Sequence, residues 1–131
     1  MSQLKLVIVT PETTTLDKLV ESVVLPLIDG EAGILPGHSP MIGRLGPGEL
    51  RVQSGGATER FYVDGGFVQI ERGTVSVLTG RSLPASKVDL VAARAALAKA
   101  ESEPVGKAEL AELRLKAIAQ AQAQIRIAEK V

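Results

Sequence analysis

The sequence contains no cysteine and no tryptophan, one histidine, and only three aromatic rings, at Phe61, Tyr62 and Phe67. Without cysteine there is no disulfide and no thiolate metal site. A lone His38 excludes a poly-histidine metal centre. So few rings argue against a stacking platform for a sugar or a single-stranded nucleic acid. A dense basic patch is also missing. Residues 1–84 carry 7 basic and 9 acidic side chains, residues 85–131 carry 8 and 6, and the whole chain is neutral. Phosphate-backbone binding is therefore disfavoured, whereas the small positive excess of the C-terminal part suits docking on an acidic partner. No apolar run approaches the roughly 18–20 residues that span a bilayer. Met1–Thr10 lacks both the basic start of a signal peptide and the Arg/Ser bias of a transit peptide. The expectation is a chain in the cytosol, or held on the cytosolic side of a membrane by a partner.

What is present changes character near Gly80–Ala85. Of the 13 glycines, 12 precede residue 85. In that region apolar residues recur with a period of about two. Leu4–Val9 places apolar side chains at both phases, as a strand buried largely on both faces would. Short runs follow at Leu19–Ile28, Met41–Leu45, Glu49–Ser54, Glu59–Asp64, Phe67–Glu71 and Thr74–Thr79. Glycine turn signals separate them: Gly46-Pro47-Gly48, Gly55-Gly56, Gly65-Gly66 and Arg72-Gly73. Short strands so punctuated predict an antiparallel β-sandwich over residues 1–84.

From residue 85 alanine replaces glycine, and residues 85–131 read as an antiparallel α-helical hairpin. Ser86, with Asp89 three residues on, is a helix start signal. The first helix is predicted from about Lys87 to Ser102, and Pro104-Val105-Gly106 breaks it. The second runs from about Lys107 to Lys130, with an apolar stripe of Leu110, Leu113, Ala117, Ala121, Ile125 and Ala128. Six alanines (92, 93, 95, 96, 98 and 100) give the first helix good propensity but little area to bury. The hairpin reads either as a tight alanine-lined pair or as one whose contacts can be exchanged.

Candidates for chemistry are sparse. Ser39 beside His38 suggests a nucleophile and its base, but adjacent residues in an extended loop point apart and no acid lies nearby to orient the pair. Asp29, Glu31 and Glu49 lack the spacing of a Ca²⁺ loop. There is no G-x-x-x-x-G-K-[ST] phosphate loop, and Gly30, Gly33 and Gly37 do not precede a helix signal. The unusual feature is Gly30-Glu31-Ala32-Gly33-Ile34-Leu35-Pro36-Gly37-His38-Ser39-Pro40, read as a long, stiffened loop. It serves either as a recognition surface or as packing for the sandwich end.

That stretch, with Leu45-Gly46-Pro47-Gly48, resembles the signature of the epsilon subunit of F-type rotary ATP synthases, the counterpart of the mitochondrial delta subunit. Tyr62–Ile70 is similar to the family's glycine-pair strand turn, and Thr74–Thr79 to its last sandwich strand. The resemblance implies a non-catalytic central-stalk part, peripheral to the cytoplasmic face of a bacterial inner membrane through its partners. Gly30, Glu31 and Ala32 fall where the family's loop meets the c-subunit ring, and His38 and Met41 on the side that meets the gamma subunit. The hairpin, in bacterial relatives, can reach the alpha and beta subunits and inhibit ATP hydrolysis. Many relatives bind ATP at [I/L]-D-x-x-R-A; here the residues are Leu90-Val91-Ala92-Ala93-Arg94-Ala95, with Val91 in place of Asp. Arg94 and Arg126 remain as possible phosphate contacts or as solvated helix arginines. The missing carboxylate leads to the expectation of no cofactor.

Overall fold

In a computed structural model, residues 3–103, 106 and 108–130 are described. Eight strands come first: β1 (Leu4–Val9), β2 (Thr14–Val20), β3 (Ser22–Leu27), β4 (Gly30–Ile34), β5 (Met41–Ser54), β6 (Ala57–Glu71), β7 (Thr74–Leu78) and β8 (Ser82–Pro84). A single 3₁₀ turn at Ala85–Lys87 leads into α1 (Leu90–Ser102) and α2 (Ala108–Lys130).

The strands are hydrogen-bonded in the order β2-β1-β7-β6-β5-β3-β4, with β8 also on β6. Neighbours are antiparallel except β1 and β7, which run parallel. β5 and β6 are long enough to serve two layers. Met41–Leu45 pairs with Gly66–Ile70, and Pro47–Ser54 pairs with Ala57–Asp64. The ladder skips Gly46 and Gly65, and there the sheet folds over on itself. The first layer is β2-β1-β7 with the late part of β6 and the early part of β5. The second is β8, the early part of β6, the late part of β5, β3 and β4. Leu4, Leu6, Ile8, Val68, Ile70, Val75 and Val77 of the first layer meet Val23, Leu25, Ile34, Leu50, Val52 and Val63 of the second in one buried core. The β-sandwich expected from the strand pattern is therefore what forms.

Three glycines are required by geometry. Gly66 has φ +116°, and a Cβ there would lie 2.0 Å from the Leu78 carbonyl oxygen. No other residue lets β6 pass so close to the end of β7. The Gly55-Gly56 turn has positive φ at both positions, as a two-residue hairpin with the twist of its strands requires.

Several strand limits differ from expectation. Leu19–Ile28 is two strands, broken at Glu21, where the chain leaves the first layer and joins the second. The Glu21 amide donates to the Gln53 carbonyl at 2.8 Å and its carboxylate accepts from Gly55 N at 2.7 Å, pinning the corner. Gly46-Pro47-Gly48 and Gly65-Gly66 do not end strands; they bend them. β1 is buried on one face only, at Leu4, Leu6 and Ile8, while Lys5 is exposed. The Gly30–Pro40 loop is half strand, because Gly30–Ile34 pairs with Val23–Leu27. β2 begins earlier than expected, its threonines, Asp17 and Lys18 hiding the alternation, and β8, at three residues, is too short to show one.

The hairpin forms with α1 starting at Leu90. Asp89 is its cap, with Oδ1 accepting from Ala92 N at 3.1 Å, and Ser86 lies in the preceding turn. The break at Pro104-Val105 and the start at Lys107 lie outside the described residues. α1 turns Ala93 and Ala100 inward with Leu97 half-buried. Arg114 of α2 closes the C-terminus of α1, donating to the Ala100 and Glu101 carbonyls at 2.9 Å each. The expected α2 stripe is only partly buried. Leu110 and Leu113 are exposed, whereas Ala121, Ala123 and Ile127 are buried. α2 serves two neighbours in its C-terminal half, so its buried positions spread beyond a single stripe.

Candidate functional site

The two layers present unlike outer faces. On the first layer, alternation sends Val68, Ile70, Val75 and Val77 inward and their neighbours outward. Register places Phe67 opposite Leu78 and beside Arg44, two residues from Ile42. Ile42, Phe67 and Leu78 are 78%, 54% and 49% exposed. Three large apolar side chains thus form an open patch on one sheet face, a feature typical of a docking surface. Met41 points the other way and packs partly buried on the core. His38 is exposed beyond the end of β4, and its Nδ1 donates to the Ser39 carbonyl oxygen at 2.7 Å. The imidazole is held by backbone rather than by the Ser39 hydroxyl.

The second layer's outer face is covered by α2. Tyr62 is fully buried there among Ala85, Val88, Ala123 and Ile127, with Leu83 and Ala128 at the margin. Its hydroxyl donates to Asp64 Oδ1. Burial, reinforced by Asp64, pushes the phenol far above its ordinary range. Among the described residues no α1 side chain joins this cluster, and α1 packs mainly on α2.

Beside Tyr62 lies a charged row. Glu49 is opposite Tyr62, and Arg51 is opposite Arg60. Arg51 Nη1 donates to Glu31 Oε2 at 2.9 Å and to Glu49 Oε1 at 3.0 Å, while Nη2 donates to Glu31 Oε1 at 3.1 Å. The Arg51 hydrogen bonds hold the Glu31 carboxyl below its ordinary range, against a smaller opposing effect of burial; the Arg51 and Lys130 charges add to the lowering. Glu49 is buried beneath α2, and its Oε2 has no hydrogen-bond partner among the described residues; Arg60 Nε is 3.8 Å away. A cleft of about 220 Å³ separates this row from α2, with Gly30, Glu31, Arg51, Arg126 and Lys130 on its walls.

The residues singled out in the sequence are therefore dispersed. Gly30 and Glu31 begin β4, exposed at the β3–β4 tip next to Ile28, and Ala32 is half-buried behind them. Arg94 pairs with Glu129 at 3.3 Å, and Val91 points to solvent. Arg126 lines the cleft under α2. Arg51, Tyr62, Ile42 and Phe67 carry the two faces without being site candidates in the sequence, and Glu49 enters the sequence reading only as a metal ligand that is set aside. Strand alternation puts Glu49 and Arg51 on one face, but their meeting with Glu31 depends on the β3–β4–β5 register, which a single sequence does not display.

Among the described residues, no helix is long and apolar enough to cross a membrane, and no group of three His, Cys, Asp or Glu could hold a metal ion.

Comparison with known proteins gives this fold a family. Residues 3–85 match the family model "ATP synthase, Delta/Epsilon chain, beta-sandwich domain". The ATP synthase epsilon chain of Rhodopirellula baltica is 45% identical over 123 residues, which cover 94% of this chain and 96% of that one. That of Granulibacter bethesdensis is 42% identical over 103 residues, covering 78% of this chain and 76% of that one. A chain in the cryo-EM structure of the Euglena gracilis mitochondrial ATP synthase (OSCP/F1/c-ring, rotational state 1) superposes with a TM-score of 0.83 at 23% identity, covering 94% of this chain and 79% of that one. One from the Tetrahymena thermophila central stalk and c-ring gives 0.76 at 11%, covering 95% and 96%. The chain belongs to the ATP synthase delta/epsilon family.

Proposed function

We propose that this chain is a rotor part of a bacterial ATP synthase, gripping the gamma subunit with its sandwich, resting on the c-subunit ring at its tip, and braking ATP hydrolysis with its hairpin. Its place is then the cytoplasmic face of the inner membrane, held there by protein partners. Family membership supplies the setting. The observation that carries the gamma contact is the Ile42–Phe67–Leu78 patch, because it leaves one sandwich face open while α2 covers the other. In this reading His38, in the exposed loop before β5, and the adaptable Met41, at the start of β5, add to the gamma contact. Glu31 at the exposed tip suits a basic ring loop, and Gly30 and Ala32 keep its flanks small.

Isothermal titration with the cognate gamma subunit tests the grip. Binding is expected for the whole chain and lost with Ile42→Glu; absence of heat from the unaltered chain contradicts the reading. Removing residues 86–131 tests the brake, which bears on the alpha and beta subunits. Gamma binding is expected to persist and hydrolysis by the soluble complex to rise; unchanged hydrolysis removes the brake.

In our reading nucleotide is not the release signal. Val91 offers no carboxylate, Asp89 is committed to capping α1, and Arg94 already pairs with Glu129. Millimolar ATP is expected to leave the thermal midpoint of the isolated chain unmoved, since a ligand of the folded state raises it by linkage.

A further inference from the structure

The hairpin is seated on the sandwich by one small apolar cluster and one charged row, and the charged row reaches the β3–β4 tip. Arg51 is the shared member. Its guanidinium is divided between Glu31, half exposed at the tip, and Glu49, buried under α2. Across the cleft, α2 contributes Arg126 and Lys130. Among the described residues the docked charges are thus Arg51, Arg126 and Lys130, with Arg60 behind, against Glu31 and Glu49. Both carboxylates are needed to offset the cations on the two walls.

We propose that Arg51 couples the tip to the seat of α2, so that a cationic partner taking hold of Glu31 loosens the hairpin. With Glu31 drawn away, Arg51 keeps only Glu49, and its charge faces Arg126 and Lys130 with one counter-charge fewer. The seat has little to resist this. Its apolar part is Tyr62 with Val88, Ile127, the half-buried Leu83 and three alanines, and among the described residues Glu49 Oε2 has no hydrogen-bond partner. Lifting α2 separates the like charges and exposes that oxygen to water, so the docked state loses on both counts. The seat and its charge balance stand on geometry alone; the identity of the cationic partner as a c-ring loop rests on the function proposed above.

Amide exchange at residues 121–130 of the full chain, in low salt, tests the coupling without any partner. Glu31→Gln is the central variant, since its exposed side chain leaves the fold untouched. Exchange is expected to rise about threefold, the scale of an exposed ion pair. Asp17→Asn, which removes an exposed partner of Lys5 on the other layer, serves as the control and is expected to change nothing. In a chain that also carries Arg126→Gln and Lys130→Gln, the effect of Glu31→Gln is expected to fall to near unity, because the repelled charges are gone. Unchanged exchange in Glu31→Gln, or an equal rise in both backgrounds, overturns the coupling. Retention of the Glu31→Gln chain on c-ring-containing membranes is scored separately. Weakened retention with unchanged exchange leaves the ring contact and removes the coupling; faster exchange with full retention leaves the coupling and removes the ring as its partner.

Discussion

The core between the sandwich layers and the seat beneath α2 are both apolar interfaces, yet they are built from different residues. The first is filled by Leu, Ile and Val from both layers, interdigitated and fully buried. The second is smaller, with Tyr62, Ile127, Val88 and the half-buried Leu83 set among three alanines. Between α1 and α2 the side chains are smaller still, with Ala93 and Ala100 the buried members of α1. A buried Leu or Ile contributes roughly 1.5–3 kcal/mol and an Ala much less. The sandwich is therefore expected to behave as a rigid body, and the hairpin as an appendage whose helices persist while its attachment can be given up.

The sharpest break of that contrast comes from the sandwich side. Gly66→Ala forces a Cβ against the Leu78 carbonyl at a φ of +116°. A loss of roughly 3 kcal/mol or more in unfolding free energy is expected, read from denaturant titration. Gly33→Ala, with nothing within 4 Å of the added atom, is expected to stay within about 0.5 kcal/mol. Next in size is Ile127→Ala, which empties the seat. It is expected to weaken docking by about 2 kcal/mol, seen as faster amide exchange in α2, while the strands of the sandwich keep their protection. Loss of protection in both regions together would mean that the seat belongs to the main core.

The smallest effect concerns acid. Glu31 has a folded-state pKa below its ordinary 4.5 because Arg51 bonds its charged form. Its contribution is complete above that ordinary value and disappears as the pH falls through the lowered one. Hairpin protection in the unaltered chain is therefore expected to decline below about pH 4.5. Glu31→Gln, already without the charge, is expected to show a shallower decline. Parallel profiles would show that other carboxylates govern the acid response.

The sandwich was legible because Val, Ile and Leu alternate along its central strands and glycine pairs mark its turns. Where the reading failed, the cause was tertiary. Gly46-Pro47-Gly48 and Gly65-Gly66 carry the same turn chemistry whether a strand ends or bends, and only the pairing of Met41–Leu45 with Gly66–Ile70 tells which. The Gly30–Ile34 strand was hidden by its glycines and by its place at the sheet edge. In α2, the stripe through Leu110 and Leu113 follows helical spacing correctly but predicts one neighbour where the fold provides two. Glu31 stands out through its loop, whereas Arg51 carries no local signal and meets Glu31 and Glu49 only through cross-strand register. The Asp89 cap was visible as a start signal, although it was assigned to Ser86; the two compete for the same turn, and the carboxylate reaches Ala92.

The central claim is that the sandwich and the seat of α2 open independently. Native-state amide exchange of the full chain at increasing denaturant tests it most directly. The account predicts two groups: residues 108–130 exchanging through a small opening with little denaturant dependence beyond their own exposure, and the central strands β5 and β6 exchanging only through global unfolding. A single opening free energy and a single denaturant slope for both groups would contradict it.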